Sequence, residues 1–451
     1  MKTLITLLRE SATPELRIGD ARTTPAAIAA DADRAAARLA GDDRPLLLQL
    51  RNHPADIAVL FGAAAAGRPV VLADPQANTT LIAQLERAAG QQLVRCATAS
   101  VLGEAGDALS VESLIDQGAA PAAALPSPDA FAPFLFLPTS GSMGAPKLAV
   151  HHQAALLAGA ESYVALYPLR DDATVLLPLP LVHSFGLIGG LFHALAAGHS
   201  VRLLERFTPA GFAAAVEEDA PALCLGTPLV HQLLLRSRVL AGGLPSACLA
   251  LSSGGPLAPD VIEQLAEIGL LVRAIYGSTE TGVIAAQAGQ HLSPGTVGAA
   301  APGVEMRLVE GELLVRTPGR FLGWANGPAT ADAWHRTGDR VRLDEDGTVT
   351  VLGRKSTFIN VGGKKVNPTV VESVLERHPS VLEAMAVPRA VEGEQQVVAL
   401  VVAASPVSDA DLIAWCREAL LPYEVPAAID RVDALPRTDN GKLRRPTEET
   451  R

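Results

Sequence analysis

An α/β fold is predicted, with a large N-terminal domain of α/β layers that contains a β-rich subdomain, followed by a small α+β C-terminal domain. Helix-like and strand-like hydrophobic periods alternate along most of the chain. From Gly295 onward the pattern changes to short strand-like segments separated by Gly and Pro. The chain has 451 residues, more than one compact core usually accommodates, so two or three domains are expected.

The first elements in chain order show the alternation. A helical period covers residues 26–40, and a strand-like apolar run follows at 45–50. A second helical period at 54–66 precedes a second strand-like run at 69–73. This order is typical of parallel strands joined by helices. The Pro- and Ala-rich residues 118–128 are expected to form a surface loop within the domain.

The last part of the chain is expected to contain two smaller structural units. Short strand-like runs indicate a β-rich subdomain at about 295–353, within an N-terminal domain of residues 1–353. Residues 354–451 then form a small domain of their own. The elements predicted in these two units are strands at 305–309 and 312–316, a helix at 368–377, strands at 383–388 and 396–403, and a helix at 409–419.

Composition and charge exclude several classes of protein. The net charge of −11 argues against a nucleic-acid or anionic-membrane binder, because such partners need a clustered positive field. The apolar segment 57–67 is shorter than the roughly 18 residues that span a bilayer, and the N-terminus shows no secretion signal. Cys96, Cys224, Cys248 and Cys416 lack metal-binding spacing and are interpreted as packing thiols. A cytoplasmic protein without a membrane span is expected.

A phosphate-binding loop is predicted at residues 139–147, directly after a strand-like run. Its hydroxyl and glycine residues, followed by a lysine, are Thr139, Ser140, Gly141, Ser142, Gly144 and Lys147. Backbone N–H groups and hydroxyls in such a loop can converge on a phosphate, while the lysine adds a positive charge. The spacing is not that of a Walker loop, and residues 148–150 read as a strand where that loop would continue as a helix. An ordinary Ser/Gly turn is the alternative interpretation.

Two further polar motifs also suit a nucleotide. Residues 276–282 follow an apolar run and are expected at the carboxyl end of a strand, where ligands bind in α/β sheets. Tyr276 can stack on a base, Thr279 can bond a phosphate oxygen, and Glu280 can hold Mg²⁺. The motif 337–339 ends in Asp339, whose carboxylate suits the hydroxyls of a ribose. Taken alone, each motif could be a polar turn.

Residues 362–368 and 435–442 are lysine-containing turns when each is considered alone. Together with the first three, however, these motifs resemble in order and separation the adenylate-forming superfamily. This superfamily comprises acyl- and aryl-CoA synthetases, nonribosomal-peptide adenylation domains and firefly-type luciferases. The resemblance covers the chain from about Leu16 to Arg445. In character it is closest to stand-alone aryl- or acyl-CoA ligases and acyl-carrier-protein ligases.

The resemblance implies an ATP and Mg²⁺ site. It implies that the loop 139–147, including Lys147, closes over the β- and γ-phosphates. Thr279 would contact the α-phosphate and Glu280 would ligate Mg²⁺. The residues that would border the adenine are Ser253, Gly254 and Gly255 on one face and Tyr276 on the other, and those that would bind the ribose are Asp339 and Arg354.

The resemblance also gives the C-terminal domain two roles. Lys442 matches a lysine that bridges the attacking carboxylate and the α-phosphate, and Gly363 matches a glycine that lines the tunnel for a phosphopantetheine arm. The family alternates these roles by rotating a mobile C-terminal domain about a hinge, which falls near Ser356 here. Two residues depart from the family pattern. Met143 replaces a Thr of the phosphate loop, and Ser356 replaces the usual Asp or Lys of the hinge.

Residues 178–186 resemble the segment that enters the acid pocket. The resemblance implies that His183 lies near the substrate carboxylate and that Phe185 touches the acyl or aryl group, although a buried structural His is the alternative. Domains that activate α-amino acids keep an Asp at the place of Phe185, and an apolar ring there would leave a buried ammonium unpaired. An amino-acid substrate is therefore disfavoured. The other pocket candidates are Gly189, Gly254, Gly277 and Val283.

These observations predict ATP-dependent activation of a small carboxylic acid to an acyl-adenylate, followed by transfer to a phosphopantetheine thiol. The small pocket residues favour an aryl acid similar to a hydroxybenzoate, and a medium- or long-chain fatty acid is the alternative. The acceptor is CoA or an acyl carrier protein. A non-catalytic AMP-binding regulator would be expected to lack Lys147, Glu280 or Lys442, and all three are present. A luciferase-like oxygenase would share only the first half-reaction.

Overall fold

The computed structural model describes most of the 451-residue chain. The described residues are 2–19, 21–102, 108–116, 128–139, 146–288, 295–327, 334–355, 358–361, 364–391, 394–437 and 443–445. By packing they form two compact units. The first unit comprises residues 1–305 and 315–335, and the second comprises residues 306–314 and 336–451.

The helices begin and end at residues suited to those positions. Thr24 and Thr208 each cap a helix that starts with proline, and each hydroxyl accepts a hydrogen bond from a backbone N–H of the first turn. Gly67 ends another helix with φ of +70°, a conformation that favours glycine. The helices are α1 Leu4–Glu10, α2 Pro25–Leu39, α3 Pro54–Ala66, α4 Thr79–Ala89, α5 Ala99–Leu102, α6 Val111–Ile115, α7 Gln153–Leu166, a π-helix Phe185–Phe192, α8 His193–Ala197, α9 Pro209–Asp219, α10 Pro228–Ser237, α11 Pro259–Glu267, α12 Pro368–Glu376 and α13 Asp409–Ala419.

The strands are short and mostly rich in Val, Leu and Ala, as expected for strands buried on both faces. They are β1 Leu16–Ile18, β2 Ala21–Thr23, β3 Leu46–Gln49, β4 Val70–Ala73, β5 Val94–Ala97, β6 Leu109–Ser110, β7 Pro133–Thr139, β8 Lys147–His152, β9 Thr174–Leu177, β10 Ser200–Leu203, β11 Leu223–Gly226, β12 Cys248–Ser252, β13 Leu270–Ser278, β14 Gly282–Ala286, β15 Ala299–Ala300, β16 Glu305–Val309, β17 Glu312–Arg316, β18 Gly323–Trp324, β19 His335–Leu343, β20 Val349–Arg354, β21 Ile359–Val361, β22 Lys364–Val366, β23 Val381–Val391, β24 Glu394–Ala403 and β25 Ala428–Arg431.

The first unit contains two large sheets among its described residues. One has the strand order β15-β14-β13-β12-β11-β9-β10-β1-β2, and the other has the order β18-β8-β7-β4-β3-β5-β6. Strands β9 to β13 are parallel, as are β3 to β7, so their carboxyl ends lie at common sheet edges. Ligands of α/β proteins bind at such edges.

Helices α2 and α3 pack closely in the core of the first unit. A Cβ atom at Gly62 would lie 2.7 Å from the Ala32 carbonyl oxygen and 2.7 Å from the Ala35 Cβ atom. Only glycine permits this approach of the two backbones. Ile28 and Phe61 of this helix pair belong to one apolar cluster with buried residues of both sheets.

The second unit has a separate core. Its sheets are the four-stranded β16-β17-β19-β20, the hairpin β21-β22 and the three-stranded β23-β24-β25. Helices α12 and α13 contribute Leu375 and Leu412 to an apolar cluster with Ala399 of β24.

Many elements match the sequence expectations. The bounds of α3, β16, β17 and α13 are those predicted, and α2 is displaced by one residue. Strand β23 extends to Val391, three residues beyond the prediction, because its pairing with β24 continues through Arg389 and Ala390. The π-helix was not predicted. The predicted loop 118–128 lies outside the described residues except for Pro128.

The two packed units do not divide at residues 353 and 354. Residues 306–314 and 336–353, which belong to the predicted β-rich subdomain, pack with the C-terminal part of the chain. The proposed hinge residue Ser356 lies outside the described residues. The domain boundary between residues 353 and 354 stays a prediction.

Within the described ranges, no helix is both long and apolar enough to cross a membrane. The cytoplasmic location stays a prediction. All four cysteines are buried and free, in agreement with their interpretation as packing thiols.

Candidate active site

The predicted phosphate loop connects two antiparallel strands. Thr139 at the end of β7 and Lys147 at the start of β8 are cross-strand partners. The Thr139 hydroxyl donates a hydrogen bond of 3.4 Å to the Lys147 carbonyl. Residues 140–145, which include Ser140, Gly141, Ser142, Met143 and Gly144, lie outside the described residues. The strand predicted after Lys147 is confirmed.

The Lys147 side chain is exposed and lies near an aromatic ring. Its Nζ atom is 5.5 Å from the centroid of the Trp324 ring. Trp324 belongs to β18, which pairs with β8 along the side away from β7. A cation over an indole face is attracted by the ring quadrupole. This contact holds the ammonium near the base of the loop.

Thr279 and Glu280 lie in a tight turn after β13, as predicted for the carboxyl end of a strand. The Ser278 N–H donates a hydrogen bond of 3.2 Å to the Thr281 hydroxyl. The Thr281 carbonyl accepts a bond of 2.6 Å from the Thr317 hydroxyl, and this bond is buried. The Glu280 carbonyl accepts a bond of 2.8 Å from a backbone N–H at residue 321. The backbone of the turn is therefore fixed on both sides of Thr279 and Glu280.

A buried histidine on β8, which the sequence reasoning missed, reaches the same turn. His151 Nε2 lies 2.9 Å from the Thr279 carbonyl oxygen. Only 1% of His151 is exposed, and burial lowers its pKa to about 4. The ring is therefore neutral at neutral pH, and Nε2 carries the proton because a carbonyl only accepts. The only signal in the sequence is a polar residue that follows the apolar run 148–150 of a buried strand.

His335 is a second histidine beside the turn that was not predicted. Its ring packs edge-on against Phe321, with the ring centroids 5.4 Å apart. Burial lowers the pKa of His335, while the nearby Glu280 carboxylate acts in the opposite direction. The Glu280 side chain therefore lies near a largely neutral imidazole.

The predicted acid segment lies next to the turn. Ser184 Oγ is 3.4 Å from Thr279 Oγ1, so either hydroxyl can donate to the other. His183 ends a turn that leads into the π-helix, and its N–H donates to the Pro180 carbonyl at 3.3 Å. Phe185, the first residue of that helix, packs on the ring of Tyr163 with the centroids 6.4 Å apart. The predicted acid segment and the predicted phosphate turn therefore lie in contact within the first unit.

Two of the glycines predicted to leave room for a substrate are needed by the protein itself. A Cβ atom at Gly189 would lie 2.8 Å from Tyr163 Cζ. A Cβ atom at Gly277 would lie 2.2 Å from the carbonyl oxygen of Gly282, because β13 and β14 have a bulge at this point. Val283, the cross-strand partner of Gly277, is buried. The space beside both glycines is filled, and their place in a substrate pocket stays a prediction.

The residues predicted to border adenine lie at the ends of neighbouring strands. Ser253 follows β12, and its N–H donates a hydrogen bond of 3.2 Å to the Gly226 carbonyl of β11. Gly254 has φ of +96°, and Gly255 follows it. Tyr276 lies on β13, which pairs with β12 in parallel. These positions are compatible with a base held between the two segments.

The predicted ribose pair forms within the second unit. Asp339 and Arg354 are cross-strand partners on β19 and β20, and Arg354 Nε donates to Asp339 Oδ1 at 3.1 Å. The Asp339 side chain is 9% exposed and that of Arg354 is 62% exposed. The Asp339 N–H donates to the Thr337 hydroxyl at 3.1 Å, which fixes the turn before the carboxylate.

Glu312, which was not predicted, stabilises this turn by hydrogen bonds. Its buried carboxylate accepts hydrogen bonds from Arg336 and, at 3.3 Å, from the Gly338 N–H. Lys355 Nζ lies 3.5 Å from the same carboxylate. The Arg336 guanidinium holds the pKa of Glu312 below its usual range. These bonds hold the backbone at Gly338, which has φ of +73° and directly precedes Asp339.

A profile of the AMP-binding enzyme family matches residues 9–324, which is more than half of the chain. The chain belongs to the AMP-binding enzyme family. A profile of the AMP-binding enzyme C-terminal domain matches residues 370–442 as well. The predicted membership of the adenylate-forming superfamily is thereby confirmed.

Known members of the AMP-binding enzyme family include similar CoA ligases. Oxalate–CoA ligase of Arabidopsis thaliana is 30% identical over 340 residues, which cover 69% of this chain and 66% of that protein. Indoleacetate–CoA ligase of Aromatoleum aromaticum is 31% identical over 361 residues, which cover 75% of this chain and 71% of that protein. The match thus spans about two thirds of the length of these relatives.

Two solved structures have the same fold as this chain. ATP-bound MatB from Rhodopseudomonas palustris matches with a TM-score of 0.88 at 22% identity, over 98% of this chain and 97% of that one. The o-succinylbenzoate coenzyme A synthetase MenE from Bacillus subtilis, in complex with ATP and magnesium, matches with a TM-score of 0.85 at 25% identity, over 98% and 97%. The predicted α/β fold class is confirmed.

Two predicted residues of this AMP-binding enzyme, Lys442 and Gly363, lie outside the described residues. The described residues that flank 438–442 pair with each other. Arg437 and Leu443 pair as an antiparallel bridge. Arg437 also forms an ion pair of 2.9 Å with Glu383. The chain on either side of Lys442 is therefore fixed to the core of the second unit.

Proposed function

We propose that this AMP-binding enzyme is an acid–thiol ligase, which activates a carboxylic acid with ATP and transfers the acyl group to CoA. The contact between Ser184 and Thr279 carries the proposal. It joins the segment expected to hold the acid to the residue expected to hold the α-phosphate. Adenylation needs the carboxylate and the α-phosphorus to meet in a fixed geometry, and holding reactants in that geometry is a large part of catalysis.

In the first half-reaction a carboxylate oxygen bonds to the α-phosphorus. The bond from that phosphorus to the bridging oxygen of the β-phosphate breaks, and pyrophosphate leaves with the electron pair. Thr279 donates to the α-phosphate, while Lys147 and the loop 139–147 hold the leaving phosphates. These groups stabilise charge without forming a covalent intermediate with the protein.

Glu280 suits a Mg²⁺ ion that is shared with the nucleotide. Mg²⁺ is usually held by one or two carboxylates together with phosphate oxygens and water. Among the described residues no cluster of three His, Cys, Asp or Glu side chains forms a closed cage for a metal, and a single carboxylate fits the shared arrangement. A bound Mg²⁺ would neutralise the charge that develops on the leaving pyrophosphate.

In the second half-reaction a thiolate sulfur bonds to the acyl carbonyl carbon, and AMP leaves with the electron pair of the broken bond. We assign the tunnel for the phosphopantetheine arm to Gly363, and the bridge between carboxylate and α-phosphate to Lys442. CoA is proposed as the acceptor because the relatives named above are CoA ligases. An acyl carrier protein stays the alternative acceptor.

The acid proposed is an aryl acid without an α-ammonium group. Phe185 lies against Tyr163, so an aromatic ring stands at the position where an α-amino acid would need a carboxylate for its ammonium. His183 directly precedes Ser184, and it would face the carboxylate of the acid. A fatty acid is the second candidate, because the apolar rings would also accept an alkyl chain.

Pyrophosphate exchange with matched acids tests the proposal. 3-Phenylpropanoate and phenylalanine have the same carbon skeleton and differ by the α-ammonium. We expect exchange with 3-phenylpropanoate or a benzoate to exceed exchange with phenylalanine by at least about tenfold. Faster exchange with phenylalanine would overturn the acid assignment, and no exchange with any aryl, fatty or amino acid would overturn the ligase assignment. Thioester formation with CoA and with a phosphopantetheinylated carrier protein then identifies the acceptor.

A further inference from the structure

The turn that carries Thr279 and Glu280 is bonded to the strand that follows the phosphate loop through one buried side chain. His151 lies on β8, four residues after Lys147, and its Nε2–H donates to the Thr279 carbonyl at 2.9 Å. The turn follows β13 of the other large sheet. The bond therefore links the two large sheets. It does so next to the residues of each sheet that are predicted to contact phosphate.

The groups around His151 hold its ring and the carbonyls of the turn in place. The residue is 1% exposed, and its ring lies 6.4 Å from that of Phe321. Residue 321 donates its own N–H to the Glu280 carbonyl at 2.8 Å. The carbonyls of Thr279 and Glu280 are thus held by neighbouring groups, and neither can turn without breaking a hydrogen bond.

The direction of the two functional side chains depends on these carbonyls. Without the His151 bond the backbone of the turn would be free to shift, and such a shift would change the distance of Thr279 Oγ1 from Ser184 Oγ, now 3.4 Å, and the direction of the Glu280 carboxylate. The acid segment has its own anchor, because the His183 N–H is bonded to the Pro180 carbonyl. Loss of the His151 bond should therefore affect nucleotide and metal more than acid.

We propose that His151 is a positioning residue for the adenylation step: its bond to the Thr279 carbonyl orients Thr279 and Glu280 toward the phosphates and Mg²⁺ of the bound nucleotide. This inference rests on the proposed function. His151 itself touches neither phosphate nor metal. It acts through the backbone of the turn.

The test compares three variants in pyrophosphate exchange, with ATP, Mg²⁺ and the acid each varied. His151→Met removes the donor at similar volume and should raise the KM for ATP and the Mg²⁺ concentration for half-maximal rate by roughly three- to tenfold, the effect of one lost hydrogen bond. The KM for the acid should change less than twofold. His151→Gln places an amide donor near the former Nε2 and should restore both values to within about twofold of wild type.

His199→Met is the matched control. His199 is also a buried histidine, but it lies at the amino end of β10, away from the turn. The His199→Met substitution should leave the KM for ATP, the KM for the acid and the Mg²⁺ concentration for half-maximal rate unchanged. If His151→Met does not fold, as judged by circular dichroism, His151→Phe serves as the second variant without a donor.

Unchanged ATP and Mg²⁺ constants in the variant without a donor would overturn the positioning role, as would an equal rise in the KM for the acid or a failure of His151→Gln to restore function. These results are distinct from a failure of the proposed function. In that case the wild-type protein itself would catalyse no exchange with any acid.

Discussion

Asp339 and Arg354 face each other across β19 and β20, with Arg354 Nε 3.1 Å from Asp339 Oδ1. The guanidinium is mostly exposed, while the carboxylate is nearly buried. A carboxylate has about four acceptor positions, so in the predicted ribose site Asp339 can accept from a ribose hydroxyl as well as from the arginine that fixes its rotamer. The predicted ribose site therefore depends on the aspartate for its acceptor and on the arginine for the orientation of that acceptor.

Asp339→Ala is expected to raise the KM for ATP by roughly 10- to 100-fold, because a hydrogen bond to a charged group contributes about 1.5–3 kcal/mol. Asp344→Ala is the control, since Asp344 pairs with Arg342 on the surface of the same hairpin. The measurement is pyrophosphate exchange over a range of ATP concentrations. Equal effects of the two substitutions, or an unchanged KM in a folded Asp339→Ala protein, would contradict the ribose assignment.

Lys442→Ala is expected to slow adenylation by about 100-fold or more, because charge stabilisation of a few kcal/mol is lost in the transition state. The same variant should pass pre-formed acyl-AMP to the thiol at a nearly normal rate. Gly363→Leu should show the opposite pattern, since a side chain would fill the thiol tunnel and leave the first step intact. Each half-reaction is measured separately for both variants, and equal loss of the two steps in either variant would refute this division of roles.

Gly277→Ala is expected to destabilise the fold by about 2 kcal/mol or more, because its Cβ atom would lie 2.2 Å from the Gly282 carbonyl oxygen. Gly255→Ala is the control, since its Cβ atom would meet the nearest atom at 3.7 Å, an ordinary contact. Thermal unfolding of both proteins should show a Tm lowered by several degrees for the first variant only. Similar Tm values would mean that β13 and β14 can move apart at the bulge without a loss of unfolding free energy.

Stability is expected to fall as the pH is lowered from about 6.5 to 4. Burial lowers the pKa of His151, His193 and His231 to about 4, against 6.5 in the unfolded chain. In this window the unfolded chain therefore binds more protons than the folded one, and the contribution of each histidine, fully present above pH 6.5, is lost. Between pH 7 and pH 5 each histidine lowers the free energy of unfolding by about 2 kcal/mol.

His231→Leu isolates one of these contributions. Neither ring nitrogen of His231 has a hydrogen-bond partner among the described residues, so the substitution removes no bond. Urea unfolding at pH 7 and pH 5 should show a smaller difference in unfolding free energy for the variant than for the wild type. The same difference in both proteins would show that His231 is protonated equally in the folded and unfolded states.

The position of the candidate site was predictable from local patterns. Thr279 and Ser253 each follow an apolar run, and the carboxyl ends of parallel strands meet at a sheet edge. The pairing of Asp339 with Arg354 was implied by a family resemblance that depends on short motifs.

Contacts between distant parts of the chain were not predictable. His151 bonds to a carbonyl 128 residues away, and Glu312 bonds to the Gly338 N–H 26 residues away. Such partners are known only when the strands are placed side by side. For the same reason the sequence indicated that Gly189 is small, but not that Tyr163 fills the space beside it.

The indole of Trp324 gives the protein an optical reporter beside Lys147, the last residue of the predicted phosphate loop. Its ring lies 5.5 Å from the Lys147 ammonium, and indole emission responds to a nearby charge. The chain has three tryptophans, and the other two are Trp334 and Trp415. In a Trp334→Phe, Trp415→Phe protein, fluorescence would come from Trp324 alone. Movement of Lys147 toward an arriving nucleotide would then change the emission, and a stopped-flow instrument could time ATP binding separately from the later bond-making steps.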